Sequence, residues 1–396
     1  MYSSIVNMDV NNVLMFADVQ VMEFNIAKKR YSVINKKYLP YGMRGSVVNI
    51  DELTQSTDEI IQHTVNNHDV VCSWLADRIL LLSRTNAKQI YNSLGFMQSD
   101  NRDNKLTIAL TCRAVSVIDM YWVRREDENI KWEDVNLKCN PLNKIITDIA
   151  LTGKHITFRG NYSSPELTTN GTFAKAWRQE DGELWLYKLG TTQDRRNESM
   201  VEVSVSNVLD KCSVDHIKYI AVQDNGMYAA KCACMSTDNL SIVPAYEYMQ
   251  YCMRNGIDFY SSVKSVDADN FYKMLIVDYL ICNPDRHGNN WGFYMNNNTM
   301  EVTMLHPLFD HNMAYDAEMS MNPDYVSEVT GRSSKVEAED AVKHVDFYFT
   351  DEIVQNDFTT SSKYHIFMDR ATKLGITRKD SGVSSFQSAI DKMTGN

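Results

Sequence analysis

The 396-residue sequence lacks any apolar run long enough to cross a membrane. Its longer apolar stretches, such as residues 79–82 and 275–277, fall far short of the roughly 20 residues that a spanning helix needs. Asp9 also interrupts the N-terminus before the apolar core of a signal peptide develops. We therefore expect a cytoplasmic protein that makes no membrane contact.

Paired cysteines and concentrated positive charge are also missing. The eight cysteines are scattered, and only Cys232 and Cys234 lie close together, without the second pair that a zinc site needs. We expect reduced thiols. The formal net charge is −11, and no stretch gathers Lys and Arg densely enough to bind a phosphate backbone. Direct binding of nucleic acid is therefore disfavoured.

What is present is a composition typical of globular protein, 44% hydrophobic and 23% charged, with room for two or three domains. The apolar spacing alternates as in strands near the N-terminus, becomes helical over residues 51–96, and predicts a further strand at 106–110. The Gly-, Ser-, Asn- and Pro-rich stretch 160–165 is typical of a linker. After it, the pattern predicts a hairpin, a helix and more strands, and then mainly helices beyond Pro244.

The densest polar cluster, residues 283–290, follows an apolar stretch at 271–282 that is typical of a buried helix. If this helix is buried, the Asp, Arg, His and Asn side chains that follow its end are also partly removed from water. This costs stability unless those side chains have partners. Residues 291–295 and 300–304 then predict a hairpin that returns the chain to Asp310. We therefore expect two polar loops to converge.

Two such loops suit phosphoryl transfer, in which the protein mainly positions Mg²⁺, the γ-phosphate of ATP and an acceptor hydroxyl. An Asp in the first loop accepts the hydroxyl proton, an Asn five residues later coordinates metal, and a second Asp after the hairpin bridges metal and phosphates. Asp285, Asn290 and Asp310 fill these places. A simpler interpretation stays open: Asp285 can cap a turn with Arg286 paired to it, and Asp310 can cap another.

Upstream, residues 167–175 can form a loop whose backbone amides and small hydroxyls cover phosphates. The loop contains one glycine, Gly171, and matches neither the P-loop nor the several-glycine loop of eukaryotic kinases, so an ordinary hairpin turn also explains it. Lys188 ends an apolar strand soon afterwards, where a kinase places the lysine that contacts the α/β-phosphates, although a strand-end lysine commonly extends to water. A following helix carries Glu198 and Glu202, either of which can pair with Lys188.

In this order and at these distances, the motifs resemble those of the HipA-type serine/threonine kinases, with the closest likeness to the HipA-like proteins of Firmicutes and the related translocated kinase of Helicobacter. The likeness covers residues 160–315 well and extends more weakly toward the N-terminus. Several stretches carry it: Leu167-Thr168-Thr169-Asn170-Gly171 with Lys175-Ala176-Trp177, Leu186-Tyr187-Lys188, Asn197-Glu198, Val243-Pro244-Ala245, Asn283-Pro284-Asp285-Arg286-His287 with Asn290-Trp291-Gly292, and Pro307-Leu308-Phe309-Asp310.

This resemblance implies an α+β, protein-kinase-like bilobal fold, with a β-rich N-lobe at residues 160–240, a helical C-lobe at 241–396 and an additional N-terminal α/β region at 1–159. It implies ATP and Mg²⁺ as cofactors, Asp285 as catalytic base, and Asn290 and Asp310 as metal ligands. The other residues expected in the ATP site are Lys188, Glu198, Glu202, Thr168, Thr169, Gly171, Lys175, His287 and the hinge residues Cys232, Cys234 and Met235, whose backbone would read adenine.

The resemblance also bears on substrate and partners. In HipA-type kinases the phosphate-covering loop carries a serine that is autophosphorylated; Thr168 lies at the matching position, with Thr169 beside it. The implied substrate is a protein with a Ser or Thr acceptor, and an antitoxin or other regulatory partner is expected. Phosphatidylinositol-type kinases share the Asp-Arg-His-x-x-Asn arrangement, so this motif alone does not decide the substrate.

Two alternatives stay open. An inactive, ATP-binding pseudokinase that acts as an interaction module is allowed by three departures from the family pattern: Asn170 where Asp is frequent, Phe293 after Gly292, and His311-Asn312 after Asp310. A metal-dependent phosphohydrolase would use imidazole and carboxylate ligands, namely His287, His306 and His311 with Asp285 and Asp310. The phosphohydrolase alternative leaves Lys188 and the loop before it unexplained.

Overall fold

The structure is a computed structural model that describes residues 7–50, 56–154, 164–169, 171–194, 197–315 and 324–379. The predicted boundary between residues 159 and 160, most of the predicted linker, and Asn170 of the predicted loop lie outside these ranges. None of the helices within them is long and apolar enough to cross a membrane.

The N-terminal region contains a four-stranded antiparallel sheet in the order β3-β2-β1-β4. Its strands are β1 (Asn12–Phe16), β2 (Val19–Asn25), β3 (Arg30–Val33) and β4 (Tyr121–Arg125). Every residue of β1 is buried, because alternate side chains enter two apolar clusters, Leu14 and Phe16 in one and Val13 and Met15 in the other. The strands expected from alternation near the N-terminus are therefore confirmed.

Five α-helices accompany this sheet in the described ranges: α1 (Thr57–Ala76), α2 (Ala87–Leu94), α3 (Arg102–Thr111), α4 (Trp132–Val135) and α5 (Lys144–Thr152). The strand predicted at residues 106–110 is wrong, because these residues form half of α3. That helix is capped by Asn101, whose side chain accepts a hydrogen bond from the N–H of Asn104 at 2.8 Å. It also packs against α1. A five-residue apolar run does not by itself distinguish a strand from a buried helix.

A second four-stranded antiparallel sheet has the order β5-β6-β8-β7. It comprises β5 (Lys175–Glu180), β6 (Glu183–Leu189), β7 (Ile220–Asp224) and β8 (Met227–Ala233), with helix α6 (Glu198–Leu209) between β6 and β7. Asp181 and Gly182 form the β5–β6 turn with φ values of 50° and 86°, as a two-residue hairpin turn requires. The register places Lys175 opposite Lys188, so both lysines lie on one face of the sheet.

A three-stranded sheet and most of the remaining helices follow. The elements are β9 (Leu240–Pro244), α7 (Ala245–Arg254), α8 (Phe259–Leu280), β10 (Gly292–Asn296), β11 (Glu301–Leu305), α9 (Ser334–Ala341), β12 (Phe349–Thr350), α10 (Ser361–Lys373) and β13 (Arg378–Lys379). Helix α8 leaves helical geometry at Asp267, whose carboxylate accepts hydrogen bonds from the N–H of Asn270 at 3.2 Å and of Leu305 at 3.0 Å. This carboxylate therefore caps the second half of α8 and ties it to β11.

Antiparallel strands dominate from residue 175 to 244 and helices dominate afterwards, which confirms the expected α+β class. The predicted hairpin between residues 291 and 304 is also confirmed. The main apolar cluster extends from Leu14 to Ala371 and draws on all three predicted regions. The boundaries of those regions stay a prediction.

Candidate active site

The first loop, residues 281–291, joins the end of α8 to β10. Its conformation depends on Asp278, a buried carboxylate in the last turn of α8. Asp278 accepts hydrogen bonds from Asn283 Nδ2 at 3.0 Å and from Arg286 Nε and Nη2 at 3.0 and 2.9 Å. The buried helix thus ends on polar groups that have partners. Arg286 pairs with Asp278 and not with Asp285, so the simpler capped-turn interpretation is wrong on this point.

Arg286 also connects the first loop to the second loop, residues 306–315, which follows β11. Its Nη1 donates to the carbonyl oxygens of Asn290 at 2.7 Å and Phe309 at 2.6 Å, and its Nη2 donates to His311 Nδ1 at 3.1 Å. Burial lowers the pKa of His311 well below its usual value, and the charge of Arg286 lowers it further, so this imidazole is neutral. The two loops converge as expected, and one guanidinium joins them.

Asp285 and Asn290 lie side by side in the first loop. Asn290 Nδ2 donates to the carbonyl oxygen of Asp285 at 2.8 Å and lies 3.4 Å from Asp285 Oδ2. This orientation leaves Asn290 Oδ1 with no donor among the described residues, as a metal ligand requires. The side chain of Asp285 is 38% exposed, and His287 Nε2 lies 3.9 Å from its Oδ1. Partial burial raises the pKa of Asp285, the charge of His287 opposes this, and the charge of Asp310 adds to it.

Lys188, near the end of β6, is 3% exposed and lies between two carboxylates. Its Nζ is 2.7 Å from Glu202 Oε2 and 2.6 Å from Asp310 Oδ1. Burial alone lowers the pKa of Lys188, but the charges of Asp310 and Glu202 outweigh burial and raise it. Burial likewise acts to raise the pKa of Asp310, but the charges of Lys188 and Lys175 hold it well below its usual range. The Lys188–Asp310 pair therefore stays charged.

The structure distinguishes the two candidate glutamates on α6. Glu202 is fully buried and pairs with Lys188. The carboxylate of Glu198 instead accepts hydrogen bonds from the N–H and Oγ1 of Thr191 at 2.8 and 2.7 Å. Glu198 therefore closes the connection between β6 and α6 and is not brought to Lys188. The two glutamates are one turn apart on the same helix face, so the helical pattern alone could not separate them.

Lys175 is a second buried lysine beside Lys188. It is 5% exposed, and its Nζ has no hydrogen-bond or ion-pair partner among the described residues. Burial, and then the charge of Lys188, lower the pKa of Lys175 to about 7. Gly171 has φ of +101°, a backbone conformation that residues other than glycine rarely adopt, and a Cβ there would displace Lys175 Nζ, so this position favours glycine. When it is protonated, Lys175 carries an unpaired positive charge beside Lys188, whose own charge Glu202 and Asp310 already pair, and such an unpaired charge favours a bound anion.

The backbone around Gly171 also suits an anion. In the 166–175 loop, whose residue 170 is not described, the N–H groups of Gly171, Thr172 and Phe173 donate to no group within the described ranges. Successive unpaired N–H groups form a concave site for phosphate oxygens. The loop that the small and hydroxyl residues predict is therefore present, and its unpaired N–H groups are available to bind phosphate oxygens.

The two threonines expected to be phosphorylated have their hydroxyls bound to the protein. Thr168 is buried, and its Oγ1 donates to the carbonyl oxygen of Pro165 at 3.4 Å. Thr169 Oγ1 donates to the same carbonyl at 2.6 Å and accepts a hydrogen bond from Trp177 Nε1 at 2.8 Å. Phosphorylation of either residue therefore requires that this end of the loop first be released.

The expected hinge follows β8. Cys232 is buried in the strand, where burial raises the pKa of its thiol to about 12. The N–H of Cys234 donates to the carbonyl oxygen of Leu184 at 2.8 Å, and the carbonyl oxygen of Met235 accepts from the hydroxyl of Tyr294 at 3.1 Å. These two backbone groups already have partners, so adenine recognition would use other backbone groups of residues 232–235.

The geometry does not favour the histidine-based metal site. His306 Nδ1 lies 2.9 Å from the carbonyl oxygen of Pro307, and burial lowers the pKa of His306 to about 4. His311 faces Arg286. Within the described ranges, no three His, Cys, Asp or Glu side chains are grouped to hold a metal ion. Asn290 and Asp310 instead offer oxygen atoms, and Mg²⁺ is commonly held by one or two such side chains together with phosphates and water.

Sequence reasoning missed Asp278 and the role of Arg286. Asp278 and Arg286 form the buried pair that joins both loops. A signal for Asp278 was present, because it is the single charged residue within the apolar stretch at 275–281, and a lone buried charge needs a partner.

No protein-family model and no curated protein matches the sequence. Solved structures that are similar to it include the following two. The proinflammatory kinase CtkA of Helicobacter pylori gives a TM-score of 0.36 and 12% identity, with 51% of this chain and 92% of that chain covered. HipA of a Shewanella oneidensis MR-1 toxin–antitoxin system, solved with HipB and operator DNA, gives a TM-score of 0.49 and 12% identity, with 92% of this chain and 98% of that chain covered. The resemblance expected from the motifs thus recurs in solved structures.

Proposed function

We propose that this protein is a HipA-like kinase that transfers the γ-phosphate of ATP to a Ser or Thr hydroxyl of a protein. One observation carries the proposal: Lys188 is held by Glu202 and by Asp310, whose loop is bound through Arg286 to the loop of Asp285 and Asn290. A lysine, two metal-ligand oxygens and a base are the parts that phosphoryl transfer needs. Here they converge from three separate parts of the chain.

The proposed roles follow from the chemistry of each side chain. Asn290 and Asp310 would hold Mg²⁺, which supplies positive charge against the phosphate oxygens when bound. Lys188 would contact the α/β-phosphates, since its charge is maintained by Glu202. Asp285 would orient the acceptor hydroxyl and take its proton, a role that its raised pKa supports.

The 166–175 loop would cover the phosphates with its unpaired N–H groups and with Lys175. The backbone of residues 232–235 would bind adenine. Autophosphorylation at Thr168 or Thr169 is part of the proposal, and the inward hydrogen bonds of both hydroxyls imply that it follows loop release.

The proposal extends to a cytoplasmic location and to an antitoxin or regulatory protein partner. The Shewanella protein is in a complex with HipB and operator DNA. That complex gives no support to the expectation that the present chain avoids direct nucleic-acid contact, which therefore stays a prediction based on the net charge of −11.

The test is incubation with labelled ATP and Mg²⁺ and a general protein acceptor, comparing wild type with Asp285→Ala and Asp310→Ala. Removing the base or a metal ligand should lower label transfer by roughly two orders of magnitude or more. Asp340→Ala, which removes an exposed carboxylate on α9, is the matched control and should leave transfer unchanged. Transfer that survived both site changes would defeat the kinase assignment. ATP binding without any transfer by wild type would select the pseudokinase.

A further inference from the structure

Arg84 lies in the N-terminal region, in the segment between α1 and α2, yet its side chain is buried against the 166–175 loop. It is 3% exposed. Its Nη1 donates to the carbonyl oxygens of Glu166 at 3.2 Å and Thr169 at 3.1 Å, and its Nη2 donates to the carbonyl oxygen of Lys175. One guanidinium therefore holds the beginning, the middle and the end of the loop.

Thr85 adds a further hold on the same loop. Its N–H donates to the carbonyl oxygen of Thr172 at 2.8 Å, and its Oγ1 donates to the same oxygen at 3.1 Å. Together, Arg84 and Thr85 take the carbonyl groups of residues 166, 169, 172 and 175. Two consecutive residues of the N-terminal region thus determine which way the loop's peptide groups point.

The orientation of these carbonyls has a consequence for the N–H groups. In a trans peptide the carbonyl and the following N–H point in opposite directions. Holding the carbonyl of Thr172 toward Thr85 therefore turns the N–H of Phe173 away from the N-terminal region, and this N–H donates to no group within the described ranges. Because these carbonyl oxygens point toward Arg84, their partial negative charges do not face the opposite side of the loop. An anion is therefore favoured on that opposite side.

We propose that Arg84 and Thr85 are positioning residues for the nucleotide phosphates, through which the N-terminal region keeps the loop in the shape that binds a triphosphate. This inference rests on the proposed ATP site. According to this inference, the N-terminal region contributes to binding of the phosphates and does not contribute to binding of the adenosine. Neither residue touches the nucleotide, since both act through the loop.

The test compares the binding of ATP and of adenosine to the full chain by calorimetry, in wild type and in Arg84→Lys. Lysine keeps the charge but lacks the planar fork that reaches several carbonyls at once. We expect ATP affinity to fall about tenfold, or by about 1.4 kcal/mol, which is close to the loss of one charged hydrogen bond. Adenosine affinity should not change.

Arg78→Lys is the matched control. Arg78 is also a buried arginine of the same segment, but it binds the carbonyl oxygen of Ala114 and the carboxylate of Asp119 instead of the loop. This variant should lower the melting temperature and leave both affinities unchanged. Equal losses for ATP and adenosine in Arg84→Lys, or the same ATP loss in Arg78→Lys, would mean a purely structural role and overturn the inference.

Two further outcomes separate this inference from the proposed function. ATP binding by wild type that persists undiminished in Arg84→Lys overturns the positioning role and leaves the ATP site standing. Wild type that binds no ATP overturns both. If Arg84→Lys does not fold, hydrogen exchange of the wild type decides: the N–H of Thr85, which donates to the carbonyl oxygen of Thr172, should exchange slowly without nucleotide, and exchange as fast as in the exposed 181–182 turn would overturn the proposed hold.

Discussion

Lys188 and Asp310 are 122 positions apart in the chain, yet the Lys188 Nζ and the Asp310 Oδ1 lie 2.6 Å apart. Glu202 contacts the same ammonium group. The second sheet, helix α6 and the second loop therefore meet at one buried charge, and a change to any of these three residues removes a partner from a buried ion. This arrangement gives the first prediction.

Glu202→Gln should lower kcat/KM for ATP roughly 30-fold, because removing one partner of a buried charge pair costs about 2 kcal/mol or more. Glu198→Gln is the matched control, since Glu198 lies on the same helix but binds Thr191. Its kcat/KM should remain near that of wild type. Steady-state kinetics of both variants provide the measurement, and an equal loss in the two would contradict the assignment of Glu202 as the partner of Lys188.

Arg286→Lys should lower the free energy of unfolding by about 2 kcal/mol or more, because lysine cannot satisfy Asp278 and the carbonyls of Asn290 and Phe309 together. Urea unfolding measures this. Arg125→Lys, at an arginine whose side chain is 54% exposed and pairs with the exposed Asp127, should leave the stability nearly unchanged. If the two substitutions had equally small effects, Arg286 would not be the connection between the loops.

Lys175 should make stability depend on pH. Its pKa is lowered from 10.5 to about 7 in the folded chain, by burial and then by the charge of Lys188. Between these two values the unfolded chain keeps this proton and the folded chain releases it. Stability rises with pH wherever the unfolded state binds more protons. The destabilising effect of Lys175 is therefore full below pH 7 and declines toward pH 10.5.

Lys175→Met should accordingly be more stable than wild type at pH 7, and this difference should shrink by pH 9. Urea unfolding at pH 7, 8 and 9 tests it, with Lys343→Met, at an exposed lysine, as the control. A difference between Lys175→Met and wild type that stayed constant over this range would show that Lys175 titrates as an ordinary lysine.

Phosphosite mapping after incubation with Mg²⁺ and ATP should find phosphate on Thr168 or Thr169. Because both hydroxyls donate to the carbonyl of Pro165, modification should be slow and substoichiometric at first. Asp285→Ala protein treated identically should carry none. The absence of phosphate from both threonines in active wild type would remove autophosphorylation from the proposed function.

Local sequence patterns predicted the elements around the site well. The Asp181-Gly182 turn, helix α6 and the β10–β11 hairpin each follow from turn residues or apolar spacing within a few positions. The strand predicted at residues 106–110 is wrong, because a five-residue apolar run does not distinguish a strand from a buried helix and the capping Asn101 before it favours a helix. Short-range patterns succeed where neighbouring residues decide the conformation.

By itself, the sequence determined the order of the motifs and the two polar loops at Asp285 and Asp310, because these depend on residue type and local turns. Only the tertiary structure decided that Glu202 pairs with Lys188, that Arg286 joins the loops through Asp278, and that Arg84 holds the 166–175 loop. Each of these contacts joins residues from different elements or loops, and the periodicity of a single helix or strand does not predict such contacts. Burial then makes each of these contacts important for stability, since removing a charge from water is costly unless the charge is paired.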